Sequence, residues 1–265
     1  MTSSPQGLTE AQERQYWSEG FLTGLEVLAA EQMDRVRDRL ISLEAAEIAT
    51  DPERWADPNY QPWEVTGSPW WHWFHGMIRH PRILAAARSV LGPNVLIRNA
   101  DIFVKAVDDP RRIRWHVDCT APESEAKKLL TMWIAISDST TENGAVEWVK
   151  GSHTFDLPPE IQDKSSLSYS SAGAAQLDQL PRASNLLKAG QMSLHHFRTV
   201  HRSGNNLTEV PRIGLVLRMM SSDVTEAAAE TGKGILLAGE NIPGHFKLVQ
   251  DLAVSWGRSG RIELI

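Results

Sequence analysis

The first third of the chain carries apolar side chains at the spacing of an amphipathic helix. Within residues 8–48 they recur every three or four positions, which predicts helical structure packed on one face. The repeating positions are Met33, Val36, Leu40 and Leu43. The pattern breaks at residues 20–24, where two glycines flank three other residues, and this break predicts a short strand or turn.

Two shorter helices are predicted further along. Residues 49–69 are rich in proline, aspartate and tryptophan, a composition typical of a loop. Pro69 then opens a helix that ends before Pro81, and residues 81–91 form the next helix, closed by a Gly-Pro pair. We expect the helical region, about residues 8–92, to form an outer layer packed on a sheet.

From residue 94 onward the pattern changes to short β-rich runs separated by turns. These runs predict strands at residues 95–104, 114–118, 129–136, 145–149, 190–200 and 212–220. Alternation places Thr131 and Trp133 on one face of their strand. The order of elements predicts an α+β chain, a single domain whose centre (about residues 94–220) is a β-sandwich or distorted barrel. Residues 221–265 would form a C-terminal extension.

A long polar stretch at residues 154–187 interrupts the predicted strands. It contains a Pro-Pro pair and a run rich in serine and alanine. Loops of this length in a compact domain are usually functional or mobile. We interpret the stretch as a lid over a pocket, and a plain disordered insertion is the alternative.

Charge and composition exclude several classes of function. The net charge is −6 and no basic cluster is present, which argues against nucleic-acid binding. A single cysteine, Cys119, excludes an internal disulfide framework and fits the reducing cytoplasm, and we interpret it as a small buried residue. The chain start does not resemble a signal peptide, and no apolar run approaches a membrane span. Ten tryptophans against three tyrosines suit a Trp-rich core or a roomy apolar cavity.

A His-x-Asp pair at His116 and Asp118 is the first candidate for chemistry. Positions i and i+2 of a strand share a face, so both side chains would reach one metal ion if the backbone is extended. With one distant histidine they complete the 2-His-1-carboxylate set that holds non-haem Fe(II). His195, His196 and His201 compete for the distal position, and alternation does not separate His195 from His201.

A second candidate is a cation in an apolar strand. Arg212 precedes a run of aliphatic residues, and charged side chains are almost never buried without a partner. Its planar guanidinium suits two-point binding of a carboxylate. A structural salt bridge is the alternative, and Arg218 has the same parity on the same strand.

Several motifs together resemble the phytanoyl-CoA dioxygenase family of Fe(II)/2-oxoglutarate oxygenases, over about residues 15 to 250. The matching stretches are Trp115-His116-Val117-Asp118, Trp133-Ile134-Ala135-Ile136, Thr141-Glu142-Asn143-Gly144-Ala145, Gly151-Ser152-His153, and Gly190 through His201-Arg202-Ser203-Gly204-Asn205 with Pro211-Arg212 following. The resemblance implies a double-stranded β-helix, a jelly-roll or cupin-like barrel.

The resemblance also implies roles for individual residues. The eleven-residue step from His201 to Arg212 is the family's spacing, so His116, Asp118 and His201 are expected to bind Fe(II). Arg212 would then hold the far carboxylate of 2-oxoglutarate, and O2 would react at the same centre. The residues expected to assist with 2-oxoglutarate are Ser203, Trp133 as a pocket wall and, more weakly, Thr131.

The implied activity is oxidation of a small molecule with release of succinate and CO2. Hydroxylation is the default outcome, and Asp118 disfavours halogenation because related halogenases carry a small residue there. The family's bacterial members often modify specialised metabolites, so a small, largely apolar intermediate is the expected substrate. Two positions depart from the family: Gln191 replaces a usual Asp, and His195 replaces a common Phe. The alternatives are a non-catalytic binding barrel and a metal-dependent hydrolase or isomerase that ignores 2-oxoglutarate.

Overall fold

Two β-sheets on either side of a buried cavity form the centre of the protein. The computed structural model describes residues 6–50, 69–107, 112–155, 162–163, 167–242, 244, 246–250 and 254–258. The described strands are β1 (Phe21–Glu26), β2 (Val95–Lys105), β3 (Ile113–His116), β4 (Leu129–Ala135), β5 (Val146–Val149), β6 (Gln162–Asp163), β7 (Ser168–Tyr169), β8 (Arg182–Ser184), β9 (Gln191–His196), β10 (His201–Ser203), β11 (Arg212–Ser221), β12 (Lys233–Ala238), β13 (Lys247–Leu248) and β14 (Val254–Arg258).

The helices lie mostly before the strands, as the sequence predicted. They are α1 (Glu10–Glu19), α2 (Ala30–Thr50), α3 (Pro69–Ile78), α4 (Pro81–Leu91), α5 (Glu123–Ala126), α6 (Ser171–Leu177) and α7 (Glu226–Ala229). Helix α1 begins with a capping box in which Thr9 and Gln12 each accept the other's backbone N–H. The predicted break at residues 20–24 is strand β1, which continues directly from α1. No described helix has both the length and the apolar character needed to cross a membrane.

The large sheet has the strand order β1-β9-β4-β11-β2-β12-β13, and β14 also pairs with β2. The small sheet has the order β6-β7-β3-β10-β5-β8. Neighbours in these sheets are mostly distant along the chain, as in a jelly roll, and the fold is therefore the α+β double-stranded β-helix that was expected. Strands β12 and β14 come from the predicted C-terminal extension, so this extension completes the large sheet.

Alternation along the large sheet separates the hydrophobic core from the cavity. The even-numbered residues of β4 and the odd-numbered residues of β11 point outward and pack under α2, α3 and α4. This outer layer includes Met132, Ile134, Leu215, Leu217, Met33, Leu40, Phe74 and Ile83. The opposite parity faces the cavity and carries Thr131, Trp133, Arg212 and Arg218. Because the apolar side chains are buried on the outer face, the side chains of opposite parity face the cavity, where they are available to bind a ligand.

Two predicted strand boundaries were wrong. The predicted strand at residues 114–118 ends at His116, and Asp118 lies in a bend beyond it. The predicted strand at residues 190–200 ends early at His196, where the chain leaves the large sheet, and a separate strand of the small sheet begins at His201, beyond the predicted range. The loop predicted at residues 49–69 falls mostly on residues 51–68, which lie outside the described part of the chain.

The long loop predicted at residues 154–187 contains regular structure. Its described part includes β7, α6 and β8, and it buries Tyr169 and Leu177 against Trp115 and Val117. Trp115 and Val117 alternate with His116 along the chain and point away from the cavity. The segment therefore covers the outer face of the small sheet.

One carboxylate anchors this segment to the small sheet. Asp178 accepts hydrogen bonds from Trp115 Nε1 at 3.2 Å and from Arg202 Nη1 at 2.7 Å. Within the described ranges, Tyr169 and Leu177 of this segment buttress the small sheet, while Leu187 at its end packs beside Trp133 and Val216. The lid stays a prediction. Residues 156–161 and 164–166 lie outside the described ranges.

Candidate metal centre and cosubstrate pocket

Three side chains that are far apart in sequence meet at one end of the cavity. His116 closes β3, and the antiparallel register pairs it directly with His201, the first residue of β10. Asp118 follows in the bend, held by its backbone N–H, which donates to Phe197 O at 2.8 Å. One ligand atom from each of the three side chains lies within 4.8 Å of the others. This is a 2-His-1-carboxylate arrangement on one side of a candidate metal position.

Both histidines are oriented by the backbone. His116 Nδ1 lies 2.9 Å from Arg114 O, and His201 Nδ1 lies 2.9 Å from Thr199 O. A carbonyl oxygen only accepts, so each Nδ1 carries the proton and each Nε2 keeps its lone pair for a metal. Burial lowers the pKa of both imidazoles, well below the usual range for His201, which keeps the metal-binding neutral form present at neutral pH.

The carboxylate of Asp118 is surrounded by donors. Oδ2 accepts from Thr131 Oγ1 at 2.6 Å and lies 3.2 Å from His195 Nε2. Arg218 Nη2 lies 3.9 Å from Oδ1. Burial alone would raise the pKa of Asp118, but the hydrogen bond from His195 and the charge of Arg218 hold it well below its usual range. The charged form, which a metal requires, is thus stabilised, and these three residues fit Fe(II).

Arg212 lies at the other end of the cavity. It is 1% exposed, donates from Nη1 to Gly144 O, and places its guanidinium carbon 5.4 Å from the centre of the Trp133 ring. Ser203 Oγ is buried in the same cavity and has no hydrogen-bond partner among the described residues. A buried hydroxyl without a partner is costly, and a carboxylate between it and Arg212 would satisfy it. This end therefore fits a dicarboxylate cosubstrate.

The middle of the cavity is apolar and closely packed. Gly214 lies beside the Trp133 indole, and a Cβ at this glycine would come within 2.1 Å of the ring. The empty space at the cavity, including the part open to solvent, is about 460 Å³. Its lining residues are Phe103, Ile113, His116, Asp118, Thr131, Trp133, Val146, His195, His201, Arg202, Ser203, Arg212, Val216 and Arg218. All seven residues that the sequence singled out for the site are among them.

Some predicted roles change with the geometry. Thr131 was expected near the far carboxylate of 2-oxoglutarate, but its hydroxyl donates to Asp118 at the metal end. Its cross-strand neighbour Arg218 is six positions from Arg212 on β11, about 20 Å along the strand. Trp148 is a core residue that stacks on Phe21, with the two ring centres 4.6 Å apart.

Arg218, the alternative to Arg212, is an internal ion-pair partner. Its guanidinium binds Asp101 closely and also faces Asp118. Two carboxylates therefore compensate its charge. His195 is the site residue for which the sequence assigned no role, although its odd position left it open as a ligand. Its strand belongs to the large sheet, and only the folding of two sheets around one cavity brings it to Asp118.

Comparison with known proteins finds a matching family profile. The sequence profile of the phytanoyl-CoA dioxygenase family matches residues 16–214. This range contains both sheets' central strands, the three metal-binding candidates and Arg212.

Individual relatives are distant but cover most of the chain. A probable alpha-ketoglutarate-dependent hypophosphite dioxygenase of Stutzerimonas stutzeri is 23% identical over 230 residues, covering 80% of this chain and 78% of that protein. Among solved structures, the apo form of the non-heme monooxygenase ThoJ has a TM-score of 0.69 at 21% identity, covering 91% of this chain and 88% of that one. The alpha-ketoglutarate-dependent carbocyclase SnoK from nogalamycin biosynthesis has a TM-score of 0.63 at 22% identity, covering 82% and 85%.

Proposed function

This chain belongs to the phytanoyl-CoA dioxygenase family and is an Fe(II)- and 2-oxoglutarate-dependent oxygenase, and we propose that it oxidises a small, largely apolar specialised-metabolite intermediate, by hydroxylation in the default case. The observation that carries the proposal is the joint placement of a 2-His-1-carboxylate set and Arg212 in one buried cavity. A hydrolase or isomerase would need the metal ligands but not the buried cation at the far end.

Residues at one end of the cavity would bind the metal, and residues at the other end would bind 2-oxoglutarate. His116, Asp118 and His201 would hold the metal through Nε2, Oδ1 and Nε2, and the opposite side of the metal would be open to ligands. Arg212 and the Ser203 hydroxyl would bind the far carboxylate of 2-oxoglutarate and so orient its keto acid end toward the metal. When bound, Fe(II) and 2-oxoglutarate supply oxidation by O2, with succinate and CO2 as coproducts.

The apolar middle of the cavity positions these groups and excludes water. Trp133 fits against Gly214, which lacks a side chain, and so forms a flat wall between the two polar ends. Burial of Arg212 at 1% exposure removes competing water from its guanidinium. A carboxylate bound there interacts more strongly than it would at the surface.

The substrate class rests on the cavity wall and on the relatives. Four apolar side chains line the cavity beyond the metal ligands and Trp133, namely Phe103, Ile113, Val146 and Val216. The substrate would share this cavity with 2-oxoglutarate, and such apolar-lined clefts are typical of small-molecule sites. The likeness to SnoK, which acts in nogalamycin biosynthesis, supports a specialised metabolite. Small molecules are the proposed partners, with no nucleic acid or membrane, and the single buried Cys119 supports a cytoplasmic location.

The test is formation of succinate from 2-oxoglutarate by the purified protein with Fe(II) and O2. We expect turnover that rises when the correct small molecule is added, and that is lost in His116→Ala. Full activity in His116→Ala would refute the metal site. Metal binding without any consumption of 2-oxoglutarate, across a panel of apolar intermediates, would favour a non-catalytic barrel instead.

A further inference from the structure

One oxygen of the Asp118 carboxylate, a candidate metal ligand, is held by two side chains of the protein. Asp118 Oδ2 accepts the Thr131 hydroxyl at 2.6 Å and lies 3.2 Å from His195 Nε2. We propose that His195 is a positioning residue that, with Thr131, holds Oδ2 so that Oδ1 alone faces the metal. This inference rests on the proposed function, because it assigns His195 a role at that metal site.

The two donors reach the carboxylate from the opposite sheet. Thr131 on β4 and His195 on β9 are direct cross-strand partners, and both point into the cavity from the large sheet. Asp118 follows β3 of the small sheet. The contact therefore ties the two sheets together at the metal end. It also sets the rotation of the Asp118 side chain, which the bend after β3 alone leaves free.

The other oxygen is left available. Oδ1 lies 4.0 Å from His201 Nε2 and 3.9 Å from Arg218 Nη2, both beyond hydrogen-bond distance. The Nε2 atom of His201 is the one that its backbone contact leaves free for metal. Oδ1 thus faces the metal-binding nitrogen, while Oδ2 faces the two donors. Such outer contacts orient a ligating carboxylate and limit it to one metal-bound oxygen.

The contact with Asp118 Oδ2 explains why position 195 carries an imidazole and not an apolar ring. A carboxylate oxygen only accepts, so Nε2 carries the proton and donates to Oδ2. The second ring nitrogen, Nδ1, is buried and has no hydrogen-bond partner among the described residues. A buried nitrogen without a partner destabilises the fold. A phenyl ring would fill the same space without that cost, so the Nε2 donor is what the histidine contributes.

The test measures Co(II) binding by the metal-free protein, with Co(II) alone as the probe and its ligand-field absorption as the spectroscopic readout. His195→Phe removes the donor and keeps an aromatic ring. His195→Gln places an amide N–H near the position of Nε2, whereas the amide of His195→Asn reaches only the position of Nδ1. We expect Co(II) affinity to fall about 10- to 100-fold in the Phe and Asn variants, with an altered absorption band, and to recover largely in the Gln variant.

His153→Phe is the matched control. His153 is also buried and donates from Nε2 to Trp17 O at 3.1 Å, and its Nδ1 has no partner within the described part of the chain, but it lies outside the cavity. We expect this variant to bind Co(II) like the wild type. An equal loss in all three His195 variants, or the same loss in His153→Phe, would mean general structural damage and overturn the proposal.

Two further outcomes separate this inference from the proposed function. If the wild type binds Co(II) and His116→Ala does not, the metal site stands, and wild-type affinity and spectrum in a folded His195→Phe then refute only the role of His195. If the wild type binds no Co(II), the proposed function fails as well. Should His195→Phe not fold, Thr131→Val tests the same oxygen, and unchanged Co(II) affinity and spectrum there overturn the proposal.

Discussion

The two ends of the cavity differ in how far the protein itself satisfies their polar atoms. At the metal end, backbone carbonyls orient His116 and His201, and Thr131 and His195 hold one oxygen of Asp118. At the other end, the Ser203 hydroxyl has no partner among the described residues. The metal end is therefore preorganised by the protein, while the proposed carboxylate of 2-oxoglutarate would complete the Arg212 end. Substitutions at the metal end should therefore weaken metal binding, and substitutions at the Arg212 end should weaken 2-oxoglutarate binding.

The largest effect is expected for Asp118→Ala at the metal end. Loss of the only carboxylate ligand should abolish tight metal binding and reduce turnover by about three orders of magnitude or more, because the metal's contribution to the transition state is several kcal/mol. Metal content and succinate formation measure both effects. Asp34→Ala, on the exposed surface of α2, is the control and should behave like the wild type. Substantial activity in Asp118→Ala would show that turnover does not depend on this carboxylate, which contradicts the proposed role of the metal end.

Arg212→Gln should weaken 2-oxoglutarate and spare the metal. Removal of a buried charged contact typically costs about 2–5 kcal/mol, or about 30- to several thousand-fold in affinity. Titration of 2-oxoglutarate into the anaerobic Fe(II) protein measures this loss, and a parallel metal titration should be unchanged. If 2-oxoglutarate affinity is unaffected here but falls in Arg218→Gln, the cosubstrate binds at the opposite end.

Gly214→Ala tests the wall between the ends. Its Cβ would lie 2.1 Å from the Trp133 ring, so the indole must move or the strand must shift. Overpacking of this kind costs about 1–3 kcal/mol of unfolding free energy, measurable by denaturant titration. Gly76→Ala in helix α3 is the matched control, because its Cβ would meet no atom of another described segment within 4 Å, and it should be neutral or stabilising. Equal stability of both variants would show that Trp133 is loosely held.

The smallest effect is expected for Ser203→Ala. Loss of one hydrogen bond to the far carboxylate should weaken 2-oxoglutarate by about 0.5–1.5 kcal/mol, or roughly 2- to 13-fold. Ser139→Ala provides the comparison, since Ser139 Oγ is also buried, has no partner in the described ranges, and lies outside the cavity. Cosubstrate affinity should fall only in the Ser203 variant. Equal 2-oxoglutarate affinity in both variants would mean that Arg212 binds the far carboxylate without Ser203.

Local pattern was enough for most of the elements and for much of the site. Helical spacing predicted α2, proline and glycine boundaries predicted α3 and α4, and strand alternation predicted that Thr131 and Trp133 share a face. Alternation works because each side chain's direction depends only on its own strand. The His-x-Asp pair, the buried Arg212 and the family resemblance then predicted the chemistry. The regular structure within residues 154–187 was missed, because its polar composition hides strands that pair with distant segments.

What the sequence determined by itself was which residue types are present and which of them share a face. Only the tertiary structure decided which faces meet. It paired His201 with His116 across two strands that are 85 positions apart in sequence, and it brought His195 and Thr131 from the other sheet onto Asp118. These contacts depend on strand order and register. Both are set by burial of the whole outer core and not by any local run of residues.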